Sequence, residues 1–219
     1  MLLELTISSA MKSKLFKKIF VIFDNHNHKN FFEKKYNILG IVDKKKNVDF
    51  TRLIKKYRKI QIGGNVSLLF ENKDTIRYQI QEMLRVEKIF EKDGIQEELE
   101  AYNPLIPDGC NLKATMLIEF PDAGERRDKL VNLIGIEHKV WLQVGENERT
   151  FAIADEDLER SDEEKTSAVH FLRFELSKLM VKDLKANVTL FAGISHPNYN
   201  VRTQEISQSI SNTLSKDLA

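Results

Sequence analysis

Apolar and polar positions alternate over short stretches of this chain, with helical spacing between them. Lys59–Ile62 and Val66–Phe70 are brief β-prone runs. Gly63-Gly64-Asn65 between them suits a tight hairpin, because these residues accept positive φ at little cost. Asp74 is placed to cap a helix over 74–92, which Asp93-Gly94 stops or bends. A second helical stretch, 95–102, closes at Asn103-Pro104. Beyond a turn at Pro107-Asp108-Gly109, residues 113–120 alternate as a strand. Asp122 and Glu125 have capping-box spacing for a helix over 123–134, ended by Gly135. Strands are expected at 138–144 and 150–154, joined through Gly145-Glu146-Asn147, and again at 167–176 and 188–194. Ser177 caps a short helix, and Thr203 caps a final one that turns Ile206, Ile210 and Leu214 inward. Strands follow one another without helices between them, so a parallel βαβ repeat fits poorly. The pattern predicts an α+β fold: a mixed, mostly antiparallel sheet of short strands with helices packed on it.

The 219 residues are enough for one large domain or two small ones. Lys plus Arg (34) and Asp plus Glu (33) nearly cancel, yet residues 1–60 hold 15 basic and 5 acidic residues, leaving 19 and 28 for the rest. The basic part is mostly Lys, a solvated point charge suited to diffuse attraction rather than base reading. Nucleic acid is therefore not an expected partner. An anionic surface, or the acidic remainder of the chain, is the counterpart this charge fits. No apolar run reaches the roughly 18 residues that a membrane span needs. The run within 15–23 has only five uninterrupted apolar residues, below the roughly 7–15 of a secretory signal. A cytoplasmic location is the resulting expectation. Residues 11–23 have the make-up of a short amphipathic surface helix, and 48–57 have helical spacing. Cys110 is the single cysteine, which excludes an internal disulfide framework and any Cys-rich zinc or iron–sulfur site.

Candidate chemistry is sparse. On the helix from Asp74, Tyr78, Gln81, Glu82 and Arg85 share a polar side, and Tyr78/Glu82 and Gln81/Arg85 are i,i+4 pairs. Such a face could recognise a carboxylate or phosphate, with Arg85 as the fork; the alternative is a solvated face. Glu87 falls among the apolar positions and would need a partner there. A carboxylate-bridged di-iron site also needs Glu-x-x-His pairs, which this helix lacks. Strand alternation puts His170 on an apolar face with Leu172, Phe174 and Leu176, either as a hydrogen-bonded core residue or as a base or ligand at a pocket edge. Arg173 and Glu175 share the other face and suit a structural ion pair. His138 and His196 have no metal spacing, and His26 with His28 is an isolated pair. The acidic stretch from Asp155 lacks the glycine and the twelfth-position acid of a calcium loop. Cys110 has only Lys113 nearby to activate it. No nucleotide, hydrolase or zinc-protease motif is present, and neither metal nor cofactor is expected.

The strings LLFENKDTIRYQIQEMLRVEKIF from Leu68, GIQEELEAYNPLIPDG from Gly94, KATMLIEFPD from Lys113, FAIADEDLER from Phe151, EEKTSAVHFLRFEL from Glu163 and AGISHPNY from Ala192 closely resemble a bacterial family known as domain of unknown function 3501. The resemblance runs from about Phe50 to the C-terminus. It implies a single α+β domain over 50–219, with 1–49 as a basic, atypical N-terminal extension. It carries no established activity. Family members are often encoded beside rubrerythrin-like and iron–sulfur oxidoreductase-like proteins. That implies a cofactor-free accessory or interaction protein in bacterial redox or peroxide stress. The other reading is a small-molecule binder or enzyme that uses Tyr78, Gln81, Glu82 and Arg85 together with His170.

Overall fold

The alternation over 59–70 is a hairpin in the computed structural model, which describes residues 57–219 other than 159, 162 and 163 and, for the backbone alone, Phe20–Phe23 and Leu39–Val42. The chain divides into two compact units, Met1–Leu53 with Gln79–Ala101 and Ile54–Tyr78 with Tyr102–Ala219. In the first, strands β1 (Phe20–Phe23) and β2 (Leu39–Val42) pair in parallel, Phe20 opposite Leu39. The end of the expected 11–23 helix is thus a strand, as its aromatic and β-branched residues favour. The rest of that segment, the 48–56 stretch and His26/His28 lie outside the described residues.

The second unit is built on two antiparallel sheets. One has five strands: β3 (Lys59–Ile62), β4 (Val66–Phe70), β5 (Asn111–Ile118), β8 (Ile153–Ala154) and β9 (Val169–Glu175) in the spatial order β3-β4-β5-β9-β8. The other has four: β6 (Val140–Val144), β7 (Thr150–Phe151), β10 (Leu190–His196) and β11 (Tyr199–Arg202), ordered β11-β10-β6-β7. Alternation sends Ile60, Leu68, Met116 and Phe174 of the first sheet and Val140, Leu142, Ala192 and Ile194 of the second into one buried cluster. This mostly antiparallel arrangement with added helices is the α+β class that the pattern predicts.

The expected 150–154 strand serves both sheets. Its first half pairs with β6 and its second with β9, and Ala152 between them is buried. At the far edges the Tyr199 hydroxyl closes the gap, donating to the Ile62 carbonyl at 2.7 Å and accepting from the Asn65 N–H at 3.2 Å. Gly63, at φ +67°, leaves room for that phenol: a Cβ would lie 2.5 Å from its oxygen. In the four-stranded sheet Trp141 lies flat on Gly193, where a Cβ would be 2.2 Å from the indole. The guanidinium of Arg149 covers the ring at 4.0 Å.

Helix boundaries differ from the pattern where hydrogen bonding decides them. Helix α1 (Lys73–Val86) is capped by Asn72, whose Oδ1 accepts from the N–H groups of Asp74 and Thr75 at 3.0 Å, so Asp74 is not the cap. It stops at Val86, short of residue 92, because Lys88 turns left-handed (φ 55°) and the Ile89 N–H bonds back to the Leu84 carbonyl. Glu87 consequently lies beyond the helix and is exposed. Gly94 falls inside α2 (Lys92–Tyr102), and a Cβ there would strike Ile89. Helix α3 (Ala123–Asn132) starts as expected, with Asp122 accepting from Glu125 N–H at 2.8 Å. So does α4 (Lys178–Lys185), capped by Ser177. Residues 136–139 form a 3-10 turn after left-handed Gly135, in place of the expected start of a strand. Thr203 caps no helix: its Oγ1 accepts from Ala192 N–H at 3.1 Å, and α5 spans only Gln208–Ser215.

Candidate functional site

The polar centre of the second unit grows from β9. The register that buries Leu172 and Phe174 also buries His170, opposite Met116 and fully sealed from solvent. Its Nδ1 lies 2.6 Å from Asp155 Oδ2. Its Nε2 lies 2.9 Å from Thr166 Oγ1 and 3.0 Å from the Ser167 carbonyl. Asp155 follows β8 in a left-handed conformation (φ 52°), and its other oxygen accepts from the Phe171 N–H at 3.0 Å. Behind Thr166 stands Glu137, 3% exposed, brought in by the 3-10 turn. Glu137 accepts from Thr166 Oγ1 at 3.2 Å and from Ser161 Oγ at 2.8 Å. Each buried carboxylate is therefore hydrogen-bonded, which is the condition for burying one at tolerable cost.

Hydroxyl, imidazole and carboxylate here have the connectivity of a hydrolytic triad, Thr166–His170–Asp155. Access decides against that chemistry. Thr166 is 1% exposed and donates to Glu137, so its oxygen meets no solvent-borne substrate. The network instead ties the segment after β8 onto β9 and the 3-10 turn. Arg160 extends it outward: it forks onto Asp157 at 2.6 Å, reaches Asp155 at 3.3 Å and lies over the Phe171 ring at 4.5 Å. The hydrogen bond from Arg160 holds the Asp157 carboxyl below its ordinary value of 3.8, against a smaller opposing effect of burial. A depressed folded value means that this pairing is complete above pH 3.8 and is lost as pH falls through the lower value. A carboxyl-carbon NMR titration of Asp157 is expected to show a midpoint below 3.8; one at or above it would contradict the pairing.

The remaining candidates are not hydrogen-bond partners of His170, although His138 Nε2 lies 3.8 Å from Glu137. Arg85 forks onto Glu82 at 3.2 and 2.7 Å, an i,i+3 pair rather than the expected i,i+4 partners, and its side chain is largely exposed. Tyr78 and Gln81 are half-buried on the same helix. No residue of that face is among the hydrogen-bond partners of His170. Arg173 pairs with Glu156 at 2.6 and 2.7 Å and with Glu175, on the outer face of the sheet. The Arg173 hydrogen bond lowers the Glu156 carboxyl, and Arg173 is itself raised. His196 meets the Ile134 carbonyl at 3.1 Å, and His138 is exposed. Among the described residues no group of three or more His, Cys, Asp or Glu is arranged to hold a metal ion, and no helix is long and apolar enough to cross a membrane.

Glu137, Thr166 and Ser161 were not legible as site residues. Glu137 is adjacent to a stretch that reads as a strand, and the other two belong to a stretch that reads as a solvated loop. The signal available for Glu137 was Gly135, whose left-handed turn re-aims the residues after it.

In the second unit two antiparallel sheets share one core with a buried histidine–carboxylate network, and the chain is an α+β protein. The chain belongs to the family described as Protein of unknown function (DUF3501), whose model matches residues 45–218. It is similar to a solved protein of unknown function from Burkholderia pseudomallei, with 51% identity, a TM-score of 0.74, and coverage of 78% of this chain and 88% of that one. No curated protein matches.

Proposed function

We propose that this chain is an accessory protein that works by binding another protein. The observation that carries the reading is the segment shared by the two sheets. Strand β7 pairs with β6 and β8 with β9, so the segment runs between the two sheets with its backbone flanked on both sides. Along this segment Phe151 (46% exposed) and Ile153 (41%) point outward on either side of buried Ala152. Two exposed apolar side chains on a rigidly held segment suit anchoring to a partner protein, in which a few buried side chains carry most of the binding energy. The groups able to do acid–base chemistry are turned inward on one another, which fits a binding role better than catalysis at His170.

The family resemblance points to rubrerythrin-like or iron–sulfur oxidoreductase partners in redox or peroxide stress. The test is affinity purification from the native host with the intact chain and with Phe151→Ser/Ile153→Ser. The intact chain is expected to retain an iron-containing oxidoreductase in near-stoichiometric amount, and the double variant to lose at least about nine-tenths of it, as expected for two truncated anchors. Recovery of no oxidoreductase, or equal recovery by both forms, would refute the reading.

A further inference from the structure

One open region of the second unit belongs neither to the His170 network nor to the exposed Phe151/Ile153 pair. A cleft of about 820 Å³ crosses the β3–β4 turn, the end of β5 and the start of β9, with Leu117, Pro121, Ala168 and Val169 in its walls and Arg126 of α3 at its side. A smaller hollow of about 360 Å³ shares Asn65 and Phe120 with it and adds Lys129, Asn132, Asn198 and Tyr199. Together they make one groove, apolar at one end and cationic and amide-lined at the other. The larger cleft is in the size range of small-molecule sites, which join apolar walls to a few placed polar groups.

The cationic end is held in place yet uncommitted. Arg126 donates from Nε and Nη2 to the Phe120 carbonyl at 3.0 and 2.8 Å, which fixes the guanidinium plane and leaves Nη1 available. Lys129 lies one helical turn on, with no hydrogen bond or ion pair among the described residues. Glu119 is the one acid in the two linings, and Lys59 stands 3.6 Å from its carboxylate. The amides are already ordered: Asn65 donates to the Glu119 carbonyl at 3.0 Å and Asn198 to the Asn132 carbonyl at 2.7 Å. A wall ordered before binding loses little freedom when a ligand arrives.

We propose that this groove binds a small organic anion, one acidic group on an apolar body. The acid sits between Arg126 Nη1 and Lys129 Nζ, where charge-assisted hydrogen bonds form. The body covers Leu117, Pro121, Ala168 and Val169. The proposal does not depend on the partner-binding reading.

Anilinonaphthalene sulfonate has this chemistry, an aromatic body with one anionic group, and it fluoresces when its body leaves water. Titrated into the full chain, it is expected to fill one saturable site. Lys129→Gln and Arg126→Gln are each expected to weaken that site about tenfold or more, the effect of losing one charged hydrogen-bond donor. Phenylnaphthylamine, the same body without the acid, is expected to bind about tenfold more weakly or worse. Lys129 has no bond of its own to lose, so its variant stays folded even if Arg126→Gln does not. Absence of saturable binding, equal affinity for the neutral probe, or unchanged affinity in Lys129→Gln would each overturn the proposal. So would self-association through the groove, seen in sedimentation as a dimer that Val169→Arg abolishes.

Discussion

His170→Ala is expected to lower the unfolding free energy by about 3–5 kcal/mol, the range for removing one partner from a buried charged network. The imidazole links Asp155 at 2.6 Å to Thr166 at 2.9 Å, with Glu137 at 3.9 Å from Nε2. Without the ring, Asp155 loses its shortest partner and Thr166 loses its link to β9. A cavity adds to the cost. Urea unfolding followed by circular dichroism measures the loss. His170→Asn, whose amide can still donate to Asp155, is expected to lose less. If His170→Ala loses under about 1 kcal/mol, as a solvated site would, the network does not hold the 155–168 segment in place.

Arg58→Ala is the second large effect, again about 3–5 kcal/mol by the same reasoning. Arg58 forks onto Asp217 at 2.7 and 2.9 Å, with side chains only 7% and 12% exposed. Its carbonyl also accepts from Phe70 N–H, so the residue is fixed at the entry to β3. The pair joins the first strand of the five-stranded sheet to the segment after α5, whose last residue, Ala219, donates its N–H to the Gly109 carbonyl. Removing the guanidinium strands a carboxylate in a mostly dry site. Replacing both partners, as in Arg58→Met/Asp217→Leu, is expected to restore most of the stability, because the desolvation cost disappears with the charges. If the double variant is no more stable than Arg58→Ala in the same urea experiment, the loss comes from packing and not from the orphaned charge.

The second effect rests on residues that local reading ranks low. Arg58 looks like one more charge in a basic stretch, and Asp217 like one acid in a C-terminal tail. Their meeting depends on a separation of 159 residues, which no local period encodes. His170 was legible as a buried histidine because strand alternation carries that information. Its partners were not, since they come from a left-handed turn, a loop and a 3-10 turn that have no period to read. The polar face of α1 was legible as a face, and within it Arg85 pairs with Glu82 at i,i+3.

By itself the sequence determined that His170, Leu172, Phe174 and Leu176 share an inward face, where Asp122 and Ser177 start helices, where the 59–70 hairpin turns, and that the strands are short and mostly antiparallel. These are consequences of hydrophobic period and local hydrogen-bonding chemistry, and they act over a few residues. Only the tertiary structure decided that the second unit holds two sheets, that residues 150–154 pass from one to the other, and that Asp155 meets the buried His170. Those outcomes depend on long-range strand pairing and on satisfying every polar group the core encloses, conditions that exist only once distant segments are packed together.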